Sequence, residues 1–295
     1  MQDSAKKKNP GKLRKKKPKK KSKLKKVLLI SFLSISLIIL TAVFIGAGFI
    51  YFHFSKDLPD VRELKDYQPS TITQIFSDND EKIAEFYIEK RIIVTLENIP
   101  LALKQATLAV EDSNFYYHFG IDPKAIFRAF ITNMKAGRVV EGGSTITQQL
   151  TKTMFLSRER TLPRKIKEAI LAVRLELVFS KDEILEMYLN QIYYGHGTYG
   201  VEAAARTYFG KGVKELTIAE CALISSLPKA PNNYSPYRNP KRARKRRNHV
   251  IRRMADVSFI TVEQAKASMQ EDFHLGGIQE MLNKAPYFVE HIRRI

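Results

Sequence analysis

The chain has 295 residues, 44% of them hydrophobic, which is enough for one medium domain with a packed core plus appendages. Its formal net charge of +20 is unevenly spread: residues 1–26 hold 14 Lys/Arg against the single acid Asp3, leaving only +7 for the rest. One cysteine, Cys221, excludes an intramolecular disulfide and argues against a Cys-based metal site; in the apolar run Cys221-Ala222-Leu223-Ile224 it reads as a small buried hydrophobe rather than a reactive thiol.

The basic tail (1–26) leads into an uncharged apolar run, Val27 to Ile50, of 24 residues. At 1.5 Å per residue it is long enough to cross a hydrocarbon core of about 30 Å. Tyr51, Phe52 and Phe54 form an aromatic collar at its far end. The Lys-rich flank predicts a cytoplasmic N-terminus, with residues 56–295 outside the cytoplasm. A cleaved signal peptide is disfavoured, because the run is too long and no clear A-x-A site follows it. Beside a span, the Lys run reads as a topology signal that also touches anionic headgroups, rather than as a nucleic-acid site.

Residues 56–96 read as a β connector. Thr71 to Phe76 and Lys82 to Val94 flank the turn-rich Ser77-Asp78-Asn79-Asp80, which predicts a hairpin or small sheet. From residue 97 to 295 the signals are helical. Asp122-Pro123 starts a helix that Gly137 closes, and Asn239-Pro240 starts another. Thr145-x-x-Gln148, Ser180-x-x-Glu183 and Thr217-x-x-Glu220 read as capping boxes, and Thr261-x-x-Gln264 starts the last clear helix. Few strands are expected after residue 97, so the fold class is mainly α.

Several stretches carry residues suited to chemistry. Leu101–Val110 predicts an apolar helix running into Glu111 and Asp112, and a carboxylate beside apolar surface is a candidate general base; a solvated helix end is the alternative. His118 reads first as a structural hydrogen-bonding group. Gly142 and Gly143 could let backbone approach a ligand, and the helix start that follows favours anions, with Ser144, Gln148, Gln149 and Lys152 on or near it; an ordinary capped helix fits equally. Arg158, Arg160, Arg164, Lys165 and Glu168 either form an exposed charge lattice or enclose a carboxylate among cations suited to a diphosphate. The glycines Gly195, Gly197 and Gly200 read as a break between packed helices. The run Lys241 to Arg247 reads as a solvated basic face.

Taken together and in order, these motifs resemble the glycosyltransferase domain of class A penicillin-binding proteins and of monofunctional peptidoglycan glycosyltransferases. The resemblance is carried by Glu111-Asp112-x-x-Phe115-x-x-His118-x-Gly120, by Gly143 to Gln149, and by Arg164-Lys165-x-x-Glu168. It continues through Lys181-x-x-Ile184-Leu185-x-x-Tyr188-Leu189-Asn190 and through Ala222-Leu223 to Pro236, and covers about residues 70–255. It implies a lysozyme-like helical domain with a small jaw lobe touching the membrane. It implies polymerisation of lipid II, with Glu111 as base and Glu168 assisting at the donor diphosphate. Lys152 and Arg160 would hold phosphate and sugar, Ser144 and Gln149 would line the cleft, and Asp112, Gln148, Arg164 and Lys165 would join the substrate-binding set. No obligatory cofactor is implied; a divalent cation, Mg or Mn, at the diphosphate is compatible. Lipid II, the growing strand and membrane lipids are the expected partners, with cell-wall synthesis or division proteins compatible and nucleic acid not expected.

Transpeptidase elements are not expected in this stretch. Ser226-Leu227-Pro228-Lys229 has Ser-x-x-Lys spacing but falls inside the glycosyltransferase pattern, and Ser-x-Asn and Lys-Thr-Gly partners are missing. Pro286 to Glu290 looks like a stretch joining two domains, so the sequence reads as part of a bifunctional protein. The competing readings are a lysozyme-like lytic enzyme, against which the cations around Glu168 argue, and a non-enzymatic anchor for anionic polymer.

Overall fold

A computed structural model describes residues 21–65, 73–86, 90–157, 159 and 161–277. The tail before Lys21, Thr71-Ile72, Arg158, Arg160 and the Pro286–Glu290 stretch lie outside the described residues. The chain divides into two compact units, residues 1–56 and 57–295.

The first unit is helix α1, Lys21–Ser55, longer at both ends than the apolar run. Within its segment Lys26–Ser55, the most apolar 18-residue window has a mean hydropathy of 2.8, and none of it is buried. A helix apolar on every side and covered by nothing is what a bilayer requires.

The second unit opens with β1 (Thr73–Phe76) and β2 (Lys82–Phe86), an antiparallel hairpin whose turn is the Ser77–Asp80 break. Strand β3 (Lys90–Arg91) follows, then α2 (Leu101–Glu111), α3 (Pro123–Ala136), α4 (Ile146–Phe155), α5 (Leu162–Val178) and α6 (Lys181–Gln191). The glycine-rich break is a short hairpin rather than a bare turn. There β4 (Tyr193–Gly195) and β5 (Thr198–Tyr199) pair, and β5 also pairs in parallel with β3. The connector and the helical part therefore share one three-stranded sheet. Helices α7 (Val201–Phe209), α8 (Ile218–Ser226), α9 (Pro231–Tyr234), α10 (Pro240–Asp256) and α11 (Val262–Gln270) complete the unit.

Local chemistry accounts for most helix ends. Asp122 accepts from the amides of Lys124 and Ala125, and Gly137 ends α3 at φ 63°. Thr145, Ser180, Thr217 and Thr261 each close a complete capping box, devices worth about 1 kcal/mol apiece. The main core gathers Leu103, Leu150, Leu171, Leu175, Leu185, Tyr188, Ala204 and Leu223 from α2 and α4 to α8. A second cluster joins Ala106 and Ala109 of α2 to Ala222 of α8 and to Val250, Ile251 and Met254 of α10. The alanines let these helices approach closely, and the larger side chains of α10 fill the remaining space. Helix α3 is the exception. It buries only Ala129 and leaves Phe127, Phe130 and Met134 exposed at 66%, 60% and 63%.

Cys221 is fully buried, and burial pushes its thiol up to about 12. Ser226 is also fully buried and donates to the Leu223 carbonyl at 2.7 Å, which is not the setting of a nucleophile.

Candidate active site

A cleft of about 1110 Å³ runs between the end of α2, the start of α3, the loop Val140–Thr145, the exposed side of α4 and one face of α10. Glu111, Asp112, Ser144, Gln149 and Lys152 all line it.

Glu111 is the last residue of α2, where the core-facing Leu108 and Ala109 anchor the helix. Its carboxylate accepts from Gln149 Nε2 at 2.8 Å. The fully buried Tyr188 reaches the other end of the same amide, its hydroxyl donating to Gln149 Oε1 at 3.4 Å. An amide that accepts at one end must offer its NH₂ at the other, so this contact orients the donor toward Glu111. Burial, followed by the charge of Glu111, pushes the Tyr188 phenol well above its ordinary range, so Tyr188 stays a neutral donor.

Asp112 caps the end of α2 with its side chain only 4% exposed. It pairs with His118 Nε2 at 2.9 Å and accepts from the Ile146 amide at 3.0 Å. It therefore ties the α2 end to the α4 start while still lining the cleft. His118 has the structural role expected of it.

Gln148, expected to bind substrate, is 2% exposed and does not line the cleft. Its Oε1 is taken by the Thr145 amide in the α4 capping box. Gly143 is also read differently in three dimensions. A Cβ there would stand 2.8 Å from Ile126 Cα, so the missing side chain lets the loop pack on α3, while Gly142 has nothing within 4 Å.

Glu168 is buried at 2% and forms ion pairs with Arg164, at 2.7 Å, and with Lys165. It is more than partly enclosed, and it does not line the cleft. The link runs through Lys165, whose ammonium also donates to Ser144 Oγ at 2.7 Å on the cleft wall. The buried Glu168 and the partly exposed Arg164 and Lys165 thus form one linked charge assembly that reaches the cleft wall at Ser144. Arg160, assigned beside Lys152, lies outside the described residues.

Among the described residues no three His, Cys, Asp or Glu side chains gather to hold a metal, and Glu168 is already matched by two cations.

Helix α10 keeps most of the Lys241–Arg247 run solvated, as expected, but not all of it. Arg247 is fully buried and donates to the carbonyls of Glu271 and Met269. On the other side of the helix, Arg242, Lys245, Arg246, His249, Arg252 and Arg253 line the cleft. Arg128 of α3 joins them, paired with Glu141 at 2.8 Å. The cations of the Lys241–Arg247 run are visible in the sequence; that Arg242, Lys245 and Arg246 face the same cavity as Glu111 is not.

The cleft can therefore place one oriented, half-buried carboxylate beside an uncharged nucleophile and surround an anionic group with Lys and Arg. The transglycosylase family model matches residues 79–255. Penicillin-binding protein 1A of Aquifex aeolicus is 48% identical over 229 residues, covering 78% of this chain and 32% of the relative. Penicillin-binding protein 1A of Escherichia coli is 46% identical over 256 residues, covering 85% and 30%. The crystal structure of penicillin-binding protein 1A from Haemophilus influenzae is 28% identical, covers 77% of this chain and 24% of that one, and superposes with a TM-score of 0.45. The chain spans about a third of the length of the curated relatives it matches.

Proposed function

The chain belongs to the transglycosylase family, and from that premise we propose that it polymerises lipid II into β-1,4-linked glycan strands at the cleft that contains Glu111. The growing strand, held on its lipid diphosphate, is the donor; a second lipid II is the acceptor. Glu111 takes the proton of the acceptor's 4-hydroxyl as that oxygen attacks C1 of the donor's terminal sugar. The C1–oxygen bond to the diphosphate breaks, the configuration inverts, and undecaprenyl diphosphate leaves with the electron pair. An alcohol nucleophile needs a base, and a departing diphosphate needs cations.

The observation that carries this reading is the shared cavity: Glu111, oriented by Gln149, lies in the same cleft as Lys152 and the basic row of α10. A hydrolase acting on uncharged sugar has no use for that many cations. Glu168 is read as a positioning residue, holding Lys165 and Arg164 behind Ser144, and no step is routed through a metal ion. Lys152 and Arg160 are assigned to the donor diphosphate. The apolar α1 and the Lys-rich stretch before it support a single span with a cytoplasmic N-terminus and an extracytoplasmic cleft. The matched residues make up about a third of the penicillin-binding relatives, which fits the reading of this chain as one part of a bifunctional protein.

Incubation of the full chain with labelled lipid II tests the proposal. Long glycan strands are expected, and Glu111→Gln should reduce their formation by about 10²–10⁴-fold while the protein stays folded. Clearing of a cell-wall suspension without polymer formation would assign a lytic activity instead.

A further inference from the structure

One imidazole stands among the cations of the cleft. Arg242, Lys245, Arg246, His249, Arg252 and Arg253 recur at three- and four-residue spacing along α10, so they share one helix face, and all line the cavity. His249 is exposed to that cavity, and among the described residues no carboxylate pairs with it.

The charges around it come from several elements. Arg246, Arg252 and Arg253 act on the ring from its own helix, and Lys229 acts from the segment after α8. Lys152 of α4 and Arg128 of α3 line the same cavity, as do the carboxylates Glu111, Asp112, Asp122 and Glu141 on the other walls. Those carboxylates are occupied: Glu111 by Gln149, Asp112 by His118, Asp122 by the α3 amides and Glu141 by Arg128. Burial and then the surrounding cations hold the imidazole below its ordinary value of 6.5.

We infer that His249 takes up a proton when a sugar diphosphate enters the cleft, so that the chain holds its substrate more tightly as pH falls. This rests on reading the cleft as a diphosphate site. A diphosphate esterified at both ends brings two negative charges that do not titrate near neutrality. It offsets the cations that keep the ring neutral, and the ring's affinity for a proton rises. The proton comes from solvent, and the diphosphate's own charge is unchanged. The linkage has one sign. Because the bound-state pKa is the higher, affinity is flat above it, rises as pH falls through it, and levels off below the free-state value. The window therefore lies around and below neutrality. An imidazole that merely donated a hydrogen bond to a sugar hydroxyl would bind with little pH dependence.

The full chain in detergent micelles, carrying Glu111→Gln to stop turnover, is titrated with lipid II by calorimetry. Buffers of different ionisation enthalpy report proton uptake, and His249→Gln is compared on the same background. A net uptake of a fraction of a proton is expected with His249 and close to none with Gln. Affinity should tighten severalfold between about pH 8 and 6 with His249 and stay flat in the variant. Equal uptake in both proteins, or a loss by the same factor at every pH, overturns the inference. If lipid II does not bind at all the inference also fails, and strand formation by the unmodified chain then shows whether the cleft reading survives.

Discussion

At the scale of single residues, the strongest constraint is on Gln149. Its amide is held at both ends, by Tyr188 and by Glu111. A hydrogen bond to a charged partner contributes about 1.5–3 kcal/mol. Gln149→Leu keeps the volume roughly and removes the donor, so kcat should fall by roughly ten-fold or more with KM little changed. A variant as active as the parent would detach Gln149 from the reaction. Lys152 poses the complementary case, a cation exposed in the cleft. A departing diphosphate carries more localised charge than the bound one, so Lys152→Met should lower kcat by more than it raises KM for lipid II. Lys152→Arg keeps the charge and should recover part of the loss. Steady-state kinetics on both variants separates this from a plain surface lysine, for which either change is silent.

At the scale of elements, the loop before α4 shows how a glycine pair can be misread. Sequence alone allows Gly143 to serve a ligand or to serve packing. The contact with the α3 backbone favours packing. Gly143→Ala should therefore destabilise the fold by about 1–3 kcal/mol, seen as a lower urea midpoint, with KM for lipid II changed little. A KM effect without loss of stability would restore the ligand role. Element boundaries were well marked wherever a cap was present, because a capping box is a contact between residues three apart and needs no distant partner. The β4–β5 hairpin has no such local mark, for the opposite reason. Its strands are two or three residues long, and β5 is held partly by β3, more than a hundred residues earlier.

At the scale of the whole molecule, α3 leaves a row of large apolar side chains uncovered. Phe127 and Phe130 bury little, so replacing both with Ser should leave stability nearly unchanged. If this face works against lipid, the double variant should lose activity severalfold in lipid vesicles and much less in detergent. Equal losses in both media would point to a role inside the domain. A row of exposed Phe and Met at helical spacing is also an aggregation liability in water, so the double variant should be the more soluble of the two proteins once detergent is withdrawn.

The sequence by itself determined the apolar span, the mainly helical class, the capped helix starts and the ordered motifs containing Glu111 and Glu168. Each of these is written in near-neighbour chemistry: the length of an uncharged run, a hydroxyl three residues before an acid or amide, a proline after a cap. Only the tertiary structure decided which faces meet. It turned Gln148 inward as a structural partner, tied Asp112 to His118 and the α4 start, sealed Glu168 behind Lys165 and Ser144, and set Gly143 against α3. It also brought the basic face of α10 to a carboxylate more than a hundred residues away in the chain. Side-chain periodicity says that a helix has two faces, but it does not say what each one touches. That choice is made by long-range packing, in which Ala106, Ala109 and Ala222 draw α10 against α2 and α8 by one side and leave its cations lining the cleft by the other.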